Sequence, residues 1–231
     1  MLVVAHRGAS HRARENTLEA FALAHELGAD GVELDVHRSS DHELVVHHDP
    51  EVEGFGLIAE RPFGELRAHD AEIPTLAEVL AVVAPMRFVN IEMKGCGWDP
   101  DADTGRVVAR GVARLVDELV LRDRVVVSSF DIEMLDDLRA LDARLTTGFL
   151  TSGKPAVPGV ARAREHGHAW FHPDWGHLMA DLDATIAAAR EQGEHVATWT
   201  VDAPDAIATF ARAGVDALIT NEPDVAVAAI S

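Results

Sequence analysis

Three carboxylates, each near the end of an apolar run, are the side chains in this sequence best suited to chemistry. Glu33 and Asp35 lie in the run 31–36 and Glu92 in the run 87–94, and both runs have the composition of buried β-strands. An unpaired carboxylate in a low-dielectric interior is costly, so it is normally protonated, paired with a cation or bound to a metal. Oxygen ligands without cysteine favour Mg²⁺ or Ca²⁺ over Zn²⁺. The sequence therefore predicts one divalent cation held by Glu33, Asp35 and Glu92.

A layer of interior salt bridges is the alternative explanation for the same acidic residues. Residues two apart on a strand face the same side, so Glu33 and Asp35 could share one ion or could each pair with a cation. Arg7 is available to Glu33, and Lys94 is available to Asp35. Glu92, on another strand, favours the metal, because the carboxylates would then outnumber the nearby cations.

Two histidines, His6 and His48, are suited to acid–base catalysis. Imidazole titrates near neutral pH, so one ring can accept a proton while the other, protonated, delivers one. His6 ends the first apolar run, and His48 precedes Asp49, which could accept a hydrogen bond from the second ring nitrogen. His47 is the alternative to His48, because alternation along a strand would turn the two side chains in opposite directions.

Four further residues could form the rest of a binding site. Arg7 and Lys94 are suited to binding phosphate, since arginine presents a planar fork of donors and lysine a point charge. Pairing of these cations with the carboxylates is compatible with that role. Phe130 and Trp199 could line an apolar wall of a substrate pocket, or they could belong to the core.

The elements that would position these side chains alternate between short β-branched runs and longer helical patterns. Eight strands are predicted, at 2–5, 31–36, 87–93, 124–129, 144–150, 168–172, 195–201 and 216–220. Eight such units predict an α/β fold, a (β/α)8 TIM barrel formed by one domain over 1–231, with a short insertion after the second strand. An open doubly wound sheet is the competing architecture. No Gly-rich dinucleotide turn follows the first strand, which argues against it.

Local patterns predict where several helices begin and how far they extend. The apolar spacing over 178–189 predicts a helix. Asp131 is predicted to cap the helix that follows it, and Asp202 to cap another. Asn16 or Thr17 is predicted as the N-cap of the first helix rather than as a catalytic residue.

Barrel geometry places an active site at the C-terminal ends of the strands. The ionisable residues are concentrated on the first three of the eight predicted strands, while hydroxyl and aromatic groups end most of the others. We therefore expect a lopsided site, with catalytic groups on one side and a substrate wall on the other.

Composition excludes several classes of partner. The formal net charge of −19 opposes binding to nucleic acid and to anionic membranes, but a bound dication could still attract a phosphate substrate. No run approaches the roughly 18–20 apolar residues that span a bilayer, so no stable membrane anchor is expected. The one cysteine, Cys96, excludes an internal disulfide and favours a cytoplasmic location.

Nine short motifs occur in a fixed order along nearly the whole chain. They are His-Arg-Gly at 6–8, Glu-Asn-Thr at 15–17, Gly-Ala-Asp-Gly-Val-Glu-Leu-Asp-Val at 28–36, Val-Val-His-His-Asp at 45–49, Ile-Pro-Thr-Leu at 73–76, Glu-Met-Lys at 92–94, Ser-Ser-Phe at 128–130, Trp-Thr-Val at 199–201 and Gly-Val-Asp-Ala-Leu-Ile-Thr at 214–220. In this series the chain resembles the glycerophosphodiester phosphodiesterases. One His-Arg-Gly alone would carry no weight, whereas the ordered series is highly specific.

The resemblance implies a (β/α)8 fold and metal-dependent hydrolysis of glycerophosphodiesters, intermediates of lipid metabolism, to glycerol 3-phosphate and an alcohol. It implies a small-molecule substrate and the following roles: metal ligation by Glu33, Asp35 and Glu92, acid–base catalysis by His6 and His48, and phosphate contacts from Arg7 and Lys94. The chain departs from the family pattern at 40–43 and 51–54, so this loop is expected to affect the choice of substrate.

Three other functions are alternatives to this one. A lyase-type phospholipase D of related fold would stop at a cyclic phosphate. A sugar-phosphate isomerase barrel would need Gly-rich phosphate loops after the last two strands, and this sequence has none there. A non-catalytic barrel that binds phosphate esters is the third alternative. The sequence leaves the oligomeric state open.

Overall fold

Eight parallel strands close into a barrel, as the alternation of apolar runs predicts. The computed structural model describes residues 1–230. Its strands are β1 (Leu2–His6), β2 (Gly31–Arg38), β3 (Leu44–Val46), β4 (Glu51–Val52), β5 (Gly56–Leu57), β6 (Phe88–Met93), β7 (Val125–Ser129), β8 (Thr146–Thr151), β9 (Trp170–Pro173), β10 (His195–Thr198) and β11 (Ala217–Thr220). Strand β1 pairs in parallel with both β2 and β11, and this double pairing closes the sheet. The prediction of a TIM barrel is confirmed.

Helices cover the outside of the barrel. They are α1 (Leu18–Glu26), α2 (Phe63–His69), α3 (Leu76–Val82), α4 (Val107–Glu118), α5 (Ile132–Leu141), α6 (Ala156–Glu165), α7 (Trp175–Ala180), α8 (Leu182–Gln192), α9 (Pro204–Ala213) and α10 (Pro223–Ile230). Their apolar faces meet outward-facing strand residues in one continuous core, in which Phe21, Leu34 and Phe210 are fully buried. No helix among residues 1–230 has the length and apolar composition that crossing a bilayer requires.

A second apolar cluster fills the interior of the barrel near the starts of the strands. Phe88 of β6 and Trp170 of β9 pack there with ring centroids 5.4 Å apart, together with Val4 and Ala217. Because these side chains fill the N-terminal end, polar groups inside the barrel are restricted to the C-terminal end.

The segment between β2 and α3 is the short insertion that the sequence predicts. Its strand β3 pairs antiparallel with the last part of β2, and β4 and β5 form a small hairpin. Val45, Ile58 and Leu66 belong to a separate apolar cluster beneath the segment. The insertion therefore has its own small core, which supports the loop that carries His48.

Two helix starts follow the predicted capping pattern. The Thr17 side chain accepts a hydrogen bond from the Ala20 amide, and the Asp131 side chain accepts from the amides of Glu133 and Met134. Each cap satisfies backbone donors that the first turn of a helix leaves free.

Two local predictions are wrong. The spacing over 178–189 belongs to two helices rather than one, because α7 ends at Ala180 and α8 begins at Leu182. Asp202 does not cap α9, whose N-cap is Ala203 and makes no side-chain hydrogen bond. The Asp202 carboxylate instead accepts a hydrogen bond from the backbone N–H of Asn221 over 2.8 Å.

Candidate active site

Strand register brings the predicted metal ligands together. In the parallel ladders His6 lies beside Glu33, and Asp35 lies beside Glu92. One carboxylate oxygen from each of Glu33, Asp35 and Glu92 lies within 4.8 Å of the other two, and all three residues are less than 9% exposed. The alternation of β2 explains the arrangement, because residues 33 and 35 face the same side of the sheet.

Two cations share this site, but they neutralise it unevenly. Arg7 Nε lies 3.1 Å from Asp35 Oδ2, and Lys94 Nζ lies 2.9 Å from Asp35 Oδ1 and also contacts Glu92. Glu33 receives only the Arg7 backbone amide, at 3.2 Å, and its Oε1 atom has no hydrogen-bond partner among residues 1–230. The interior ion pairs exist, yet one oxygen of a buried carboxylate, Glu33 Oε1, is left without a hydrogen-bond partner among residues 1–230.

The pKa values follow from this uneven pairing. Burial, reinforced by the charges of Asp35 and Glu92, raises the pKa of Glu33 well above its usual value. Burial also raises the pKa of Glu92, with Lys94 opposing the shift. Although burial opposes it, the charges of Lys94 and Arg7 hold the pKa of Asp35 well below its usual range. A divalent cation fits these oxygens, because it would compensate the charge that Arg7 and Lys94 leave uncompensated.

A sharp turn at the end of β1 positions Arg7. Its backbone is left-handed, with φ of 56°, a conformation that non-glycine residues adopt rarely. Gly8 follows at φ 81°, and a Cβ atom there would lie 2.6 Å from the carbonyl carbon of Ala20. Only glycine fits this close approach of the two backbones, which explains why the chain has glycine directly after the candidate residues His6 and Arg7.

His6 is held in one tautomer by a chain of hydrogen bonds. Its Nδ1 donates to Asn221 Oδ1 over 2.7 Å, and Asn221 Nδ2 donates to Asp202 Oδ2 over 2.8 Å, which fixes the orientation of the amide. The Nε2 atom of His6 consequently carries the lone pair, and it lies 3.8 Å from Glu33 Oε2. Burial and the nearby charge of Arg7 lower the pKa of His6, so the ring is a neutral base at pH 7.

His48 lies across the site on the insertion. Its Nδ1 donates to Asp49 Oδ1 over 2.8 Å. Burial lowers the pKa of His48, opposed by the negative charge of Asp35 and by its hydrogen bond to Asp49. His47 instead directs Nδ1 to the Asp49 carbonyl oxygen, at 2.9 Å, and lines an adjacent groove. Of the two candidates, His48 is therefore the one that lines the same cavity as His6.

The cavity that these groups share has a volume of about 260 Å³. Its polar side is formed by side chains of β1, β2, β6 and the insertion, and its opposite side is apolar. Phe130 and Trp199 pack edge to face on that side, with ring centroids 5.5 Å apart, and Leu150 lies beside them. The lopsided arrangement expected from the strand ends is the one observed.

Comparison with known proteins identifies the family of the chain. The sequence profile of the glycerophosphoryl diester phosphodiesterase family matches residues 6–225. The chain belongs to this family. It is 32% identical to a glycerophosphodiester phosphodiesterase of Caldanaerobacter subterraneus subsp. tengcongensis, over 96% of this chain and 95% of that protein.

Solved structures of the family have the same fold. The glycerophosphodiester phosphodiesterase of Thermotoga maritima superimposes with a TM-score of 0.84 at 29% identity, covering 99% of this chain and 97% of that one. An Oleispira antarctica phosphodiesterase, solved in complex with the product sn-glycerol-3-phosphate, gives a TM-score of 0.87 at 25% identity over 100% and 96% of the two chains.

Several residues around the family site were not predicted to have a role there. Asn16 has a left-handed backbone with φ of 56°, and its Nδ2 donates to Asp35 Oδ2 over 2.8 Å. It therefore supports a candidate ligand, while its neighbour Thr17 is the helix cap. Asn221 orients His6 from the far end of the sequence. The only sequence signal for this role of Asn221 is its position directly after the last strand.

Proposed function

We propose that the chain hydrolyses glycerophosphodiesters to glycerol 3-phosphate and an alcohol, with the help of one divalent cation and two histidines. Membership of the family and the named relatives support the reaction. The sn-glycerol-3-phosphate bound to the Oleispira antarctica phosphodiesterase supports a small-molecule substrate of this class. The observation that carries the proposal is the cluster of three buried carboxylates, two of which, Glu33 and Glu92, line one cavity together with His6 and His48.

The carboxylates of Glu33, Asp35 and Glu92 would hold the cation, and a set of oxygen ligands is the type that Mg²⁺ and Ca²⁺ prefer. When bound, the cation supplies positive charge that offsets the charge developing on the phosphoryl oxygens. The unpartnered Oε1 atom of Glu33 is the structural feature that most favours this assignment.

Arg7 and Lys94 would contact the phosphate group of the substrate. Two of the three N–H donors of Lys94 Nζ contact Glu92 and Asp35, so one N–H donor remains for a ligand. Arg7 pairs through Nε with Asp35 and through Nη1 with Glu15, so Nη2 remains for the phosphate. The carboxylates thus hold both cations in place, and each cation still has an N–H group free to bind the phosphate.

Proton transfer would be divided between the two histidines. His6 begins as the base, because Asn221 leaves the lone pair on its Nε2 atom, and it takes the proton of the attacking hydroxyl. That hydroxyl belongs to water, or to the glycerol 2-OH if a cyclic phosphate forms first. His48, hydrogen-bonded through Nδ1 to Asp49, would give a proton to the departing alcohol in its protonated form, which burial disfavours and which the Asp35 charge and the hydrogen bond to Asp49 favour. Trp199 and Phe130 would pack against apolar parts of the substrate and limit the access of water.

The location and the other partners follow from weaker observations. The single cysteine, Cys96, is free, and burial raises the pKa of its thiol to about 12, which suits an unreactive thiol in a reducing cytoplasm. The net charge of −19 supports a protein that does not bind nucleic acid.

Hydrolysis of glycerophosphocholine and glycerophosphoethanolamine, followed by phosphorus NMR, tests the proposal. We expect glycerol 3-phosphate to form, activity to be lost after exhaustive chelation, and activity to return with Mg²⁺ or Ca²⁺. Glu33→Gln is expected to abolish turnover, whereas Glu19→Gln, an exposed change on α1, retains it. A cyclic phosphate that persists would instead indicate a lyase, and binding without turnover would indicate a phosphate-ester binding protein.

A further inference from the structure

Three metal-ligating side chains meet at the end of the barrel opposite to the catalytic cavity. Asp136 comes from α5, His166 from the end of α6 and His168 from the segment before β9. One ligand atom of each lies within 4.8 Å of the others. His166 Nδ1 lies 2.7 Å from Asp136 Oδ2, and His168 Nε2 lies 3.6 Å from Asp136 Oδ1. The two imidazole rings stack with an interplanar angle of 15°.

The distances are compatible with one bound ion. Zinc lies about 2.0–2.2 Å from each nitrogen or oxygen ligand, so two atoms on one zinc ion are separated by at most about 4.4 Å. The two histidine–Asp136 separations, which end on different carboxylate oxygens, fall below that limit, and one ligand atom of each residue lies within 4.8 Å of the other two. Small rotations of Asp136 and His166, which are 42% and 34% exposed, would bring the three ligand atoms onto one centre.

His168 carries the observation that distinguishes this cluster from an ordinary surface ion pair. The residue is 1% exposed, and its Nε2 atom has no hydrogen-bond partner among residues 1–230. Its Nδ1 atom lies 3.0 Å from the Thr147 hydroxyl, which can accept a hydrogen bond. The tautomer in which Nδ1 donates to Thr147 places the lone pair of His168 on Nε2, facing Asp136, and this is the tautomer that a metal ion at Nε2 requires. Metal-binding histidines are commonly oriented in this way by a hydrogen bond to the other ring nitrogen.

A simple hydrogen-bonded pair is the alternative explanation, and the chain provides an example for comparison. His177 Nδ1 lies 2.9 Å from Asp174 Oδ1, much like His166 and Asp136, but no third ligand group joins that pair within the described chain. A pair of this kind satisfies both of its members. In the cluster, by contrast, Nε2 of the buried His168 makes no hydrogen bond and lies 3.6 Å from the carboxylate that His166 already contacts.

We propose that Asp136, His166 and His168 form a second metal site, which takes a transition-metal dication such as Zn²⁺. Imidazole nitrogens favour Zn²⁺, Ni²⁺ and Cu²⁺ over the Mg²⁺ and Ca²⁺ expected at the carboxylate site. Two imidazoles, one carboxylate and one water complete the four ligands that zinc requires. The site is independent of the proposed catalytic function, because it lies at the N-terminal end of the barrel and shares no residue with the cavity.

The structure also indicates what the ion would do. Asp136 belongs to the α/β unit of β7 and α5, whereas His168 lies at the start of β9, two strands further round the barrel. An ion at this position would cross-link two units that are otherwise joined through β8. Burial lowers the pKa of His168 to about 4, with the Asp136 charge opposing the shift and the Arg139 charge adding to it. The same Arg139 charge would repel a dication and limit the affinity.

Calorimetric titration of the full chain with Zn²⁺ is the test. Asp136→Asn and His166→Ala alter partly exposed positions and keep the core intact. Each is expected to bind one equivalent of zinc fewer than the parent, or to bind that equivalent at least about tenfold more weakly. His177→Ala is the matched control and is expected to behave as the parent does. Equal stoichiometry and affinity in the parent and in both variants would overturn the proposal.

Anomalous scattering at the zinc edge, from crystals soaked in ZnCl₂, gives an independent answer. A peak between Asp136 and His168 is the expected result. Peaks only at the catalytic carboxylates would contradict the second site and leave the proposed hydrolysis unaffected. In the calorimetric titration, zinc bound at the catalytic carboxylates adds the same heat in the parent, in both ligand variants and in His177→Ala. The difference in zinc binding between these proteins therefore reports on the Asp136, His166 and His168 cluster alone.

Discussion

His37 donates from Nε2 to the main-chain carbonyl oxygen of His48 over 3.1 Å, and this bond ties the loop of a candidate catalytic residue to a buried ion pair. The other ring nitrogen, Nδ1, lies 2.6 Å from Asp101 Oδ2. Although burial opposes it, the hydrogen bond from His37 lowers the pKa of Asp101, which is therefore a carboxylate. Because a carboxylate and a carbonyl oxygen both accept, each nitrogen of His37 donates. His37 is a positioning residue in this arrangement and does not touch the cavity that His6 lines.

His37→Leu is expected to lower kcat by up to about a hundredfold, because it frees the backbone of His48 and small misplacements of a catalytic group are costly. KM is expected to change much less, since the phosphate contacts are untouched. His37→Gln, which keeps one donor, should recover part of the rate. Steady-state kinetics of both variants measure the effect.

His25→Leu, an exposed change on α1, is the control for the loss of a histidine. Circular dichroism and thermal unfolding then establish whether His37→Leu is folded. A folded His37→Leu protein with parental kcat would contradict the positioning role.

The contrast between His48 and His37 indicates how far the sequence can be interpreted. Glu33, Asp35 and His6 were predictable as one site, because strand alternation and neighbouring strand ends fix where such residues lie. The role of His37 could not be predicted, because it depends on Asp101, 64 positions away in a loop between β6 and α4. No periodic pattern specifies the path of such a loop.

Asp202 illustrates the same limit for local signals. An aspartate two residues before a proline has the pattern of a helix start, yet the carboxylate of Asp202 bonds Thr220 and Asn221 instead. Tertiary contacts outweighed the local preference at Asp202, and the helical spacing over 178–189 is interrupted at Asp181, which ends α7. In both places the fold class was predictable and the hydrogen-bond partner was not.

Asn221→Ala is expected to lower kcat by about tenfold or more, because His6 loses the acceptor that holds its Nε2 lone pair towards the site. The matched control is Ser10→Ala. Ser10 Oγ donates to the same Asn221 oxygen, over 2.9 Å, without touching His6, so this change should alter the rate little. Equal rates for the two variants would mean that Asn221 does not orient the base. Rate measurements from pH 5 to 9 give the comparison.

Binding of Mg²⁺ or Ca²⁺ at the three carboxylates should stabilise the fold, by about 2.7 kcal/mol at a hundredfold excess over Kd. The stabilisation should grow as pH rises. Burial and the charges of Asp35 and Glu92 raise the pKa of Glu33, so protons compete with the cation at a higher pH than at an ordinary carboxylate. Thermal unfolding with and without the cation, at pH 6 and pH 8, measures both effects.

Glu33→Gln should abolish most of this cation-dependent stabilisation at either pH. The exposed Glu19→Gln variant controls for the removal of one negative charge from an acidic protein. If Glu33→Gln were stabilised by the cation as much as the parent, the three carboxylates would not be its binding site.

Glu194 lies far from this site and should make stability fall as pH rises. It is 2% exposed, and neither of its carboxylate oxygens has a hydrogen-bond partner among residues 1–230. Burial raises its pKa from 4.5 to about 7, with the charge of Arg164 opposing the shift. Between those two values the folded protein retains a proton that the unfolded chain has lost, so the contribution is full below pH 4.5 and is lost as pH rises through 7.

Glu194→Gln removes this titration while keeping the shape of the side chain. The variant should differ least from the parent at pH 5 and exceed its unfolding free energy by about 1–3 kcal/mol at pH 8, since each pKa unit corresponds to about 1.4 kcal/mol. Urea unfolding at pH 5, 6.5 and 8 measures the difference in unfolding free energy. The thirteen histidines titrate in both proteins, so their contribution cancels in this difference. Parallel curves for the two proteins would show that Glu194 is ionised in the folded state throughout this range.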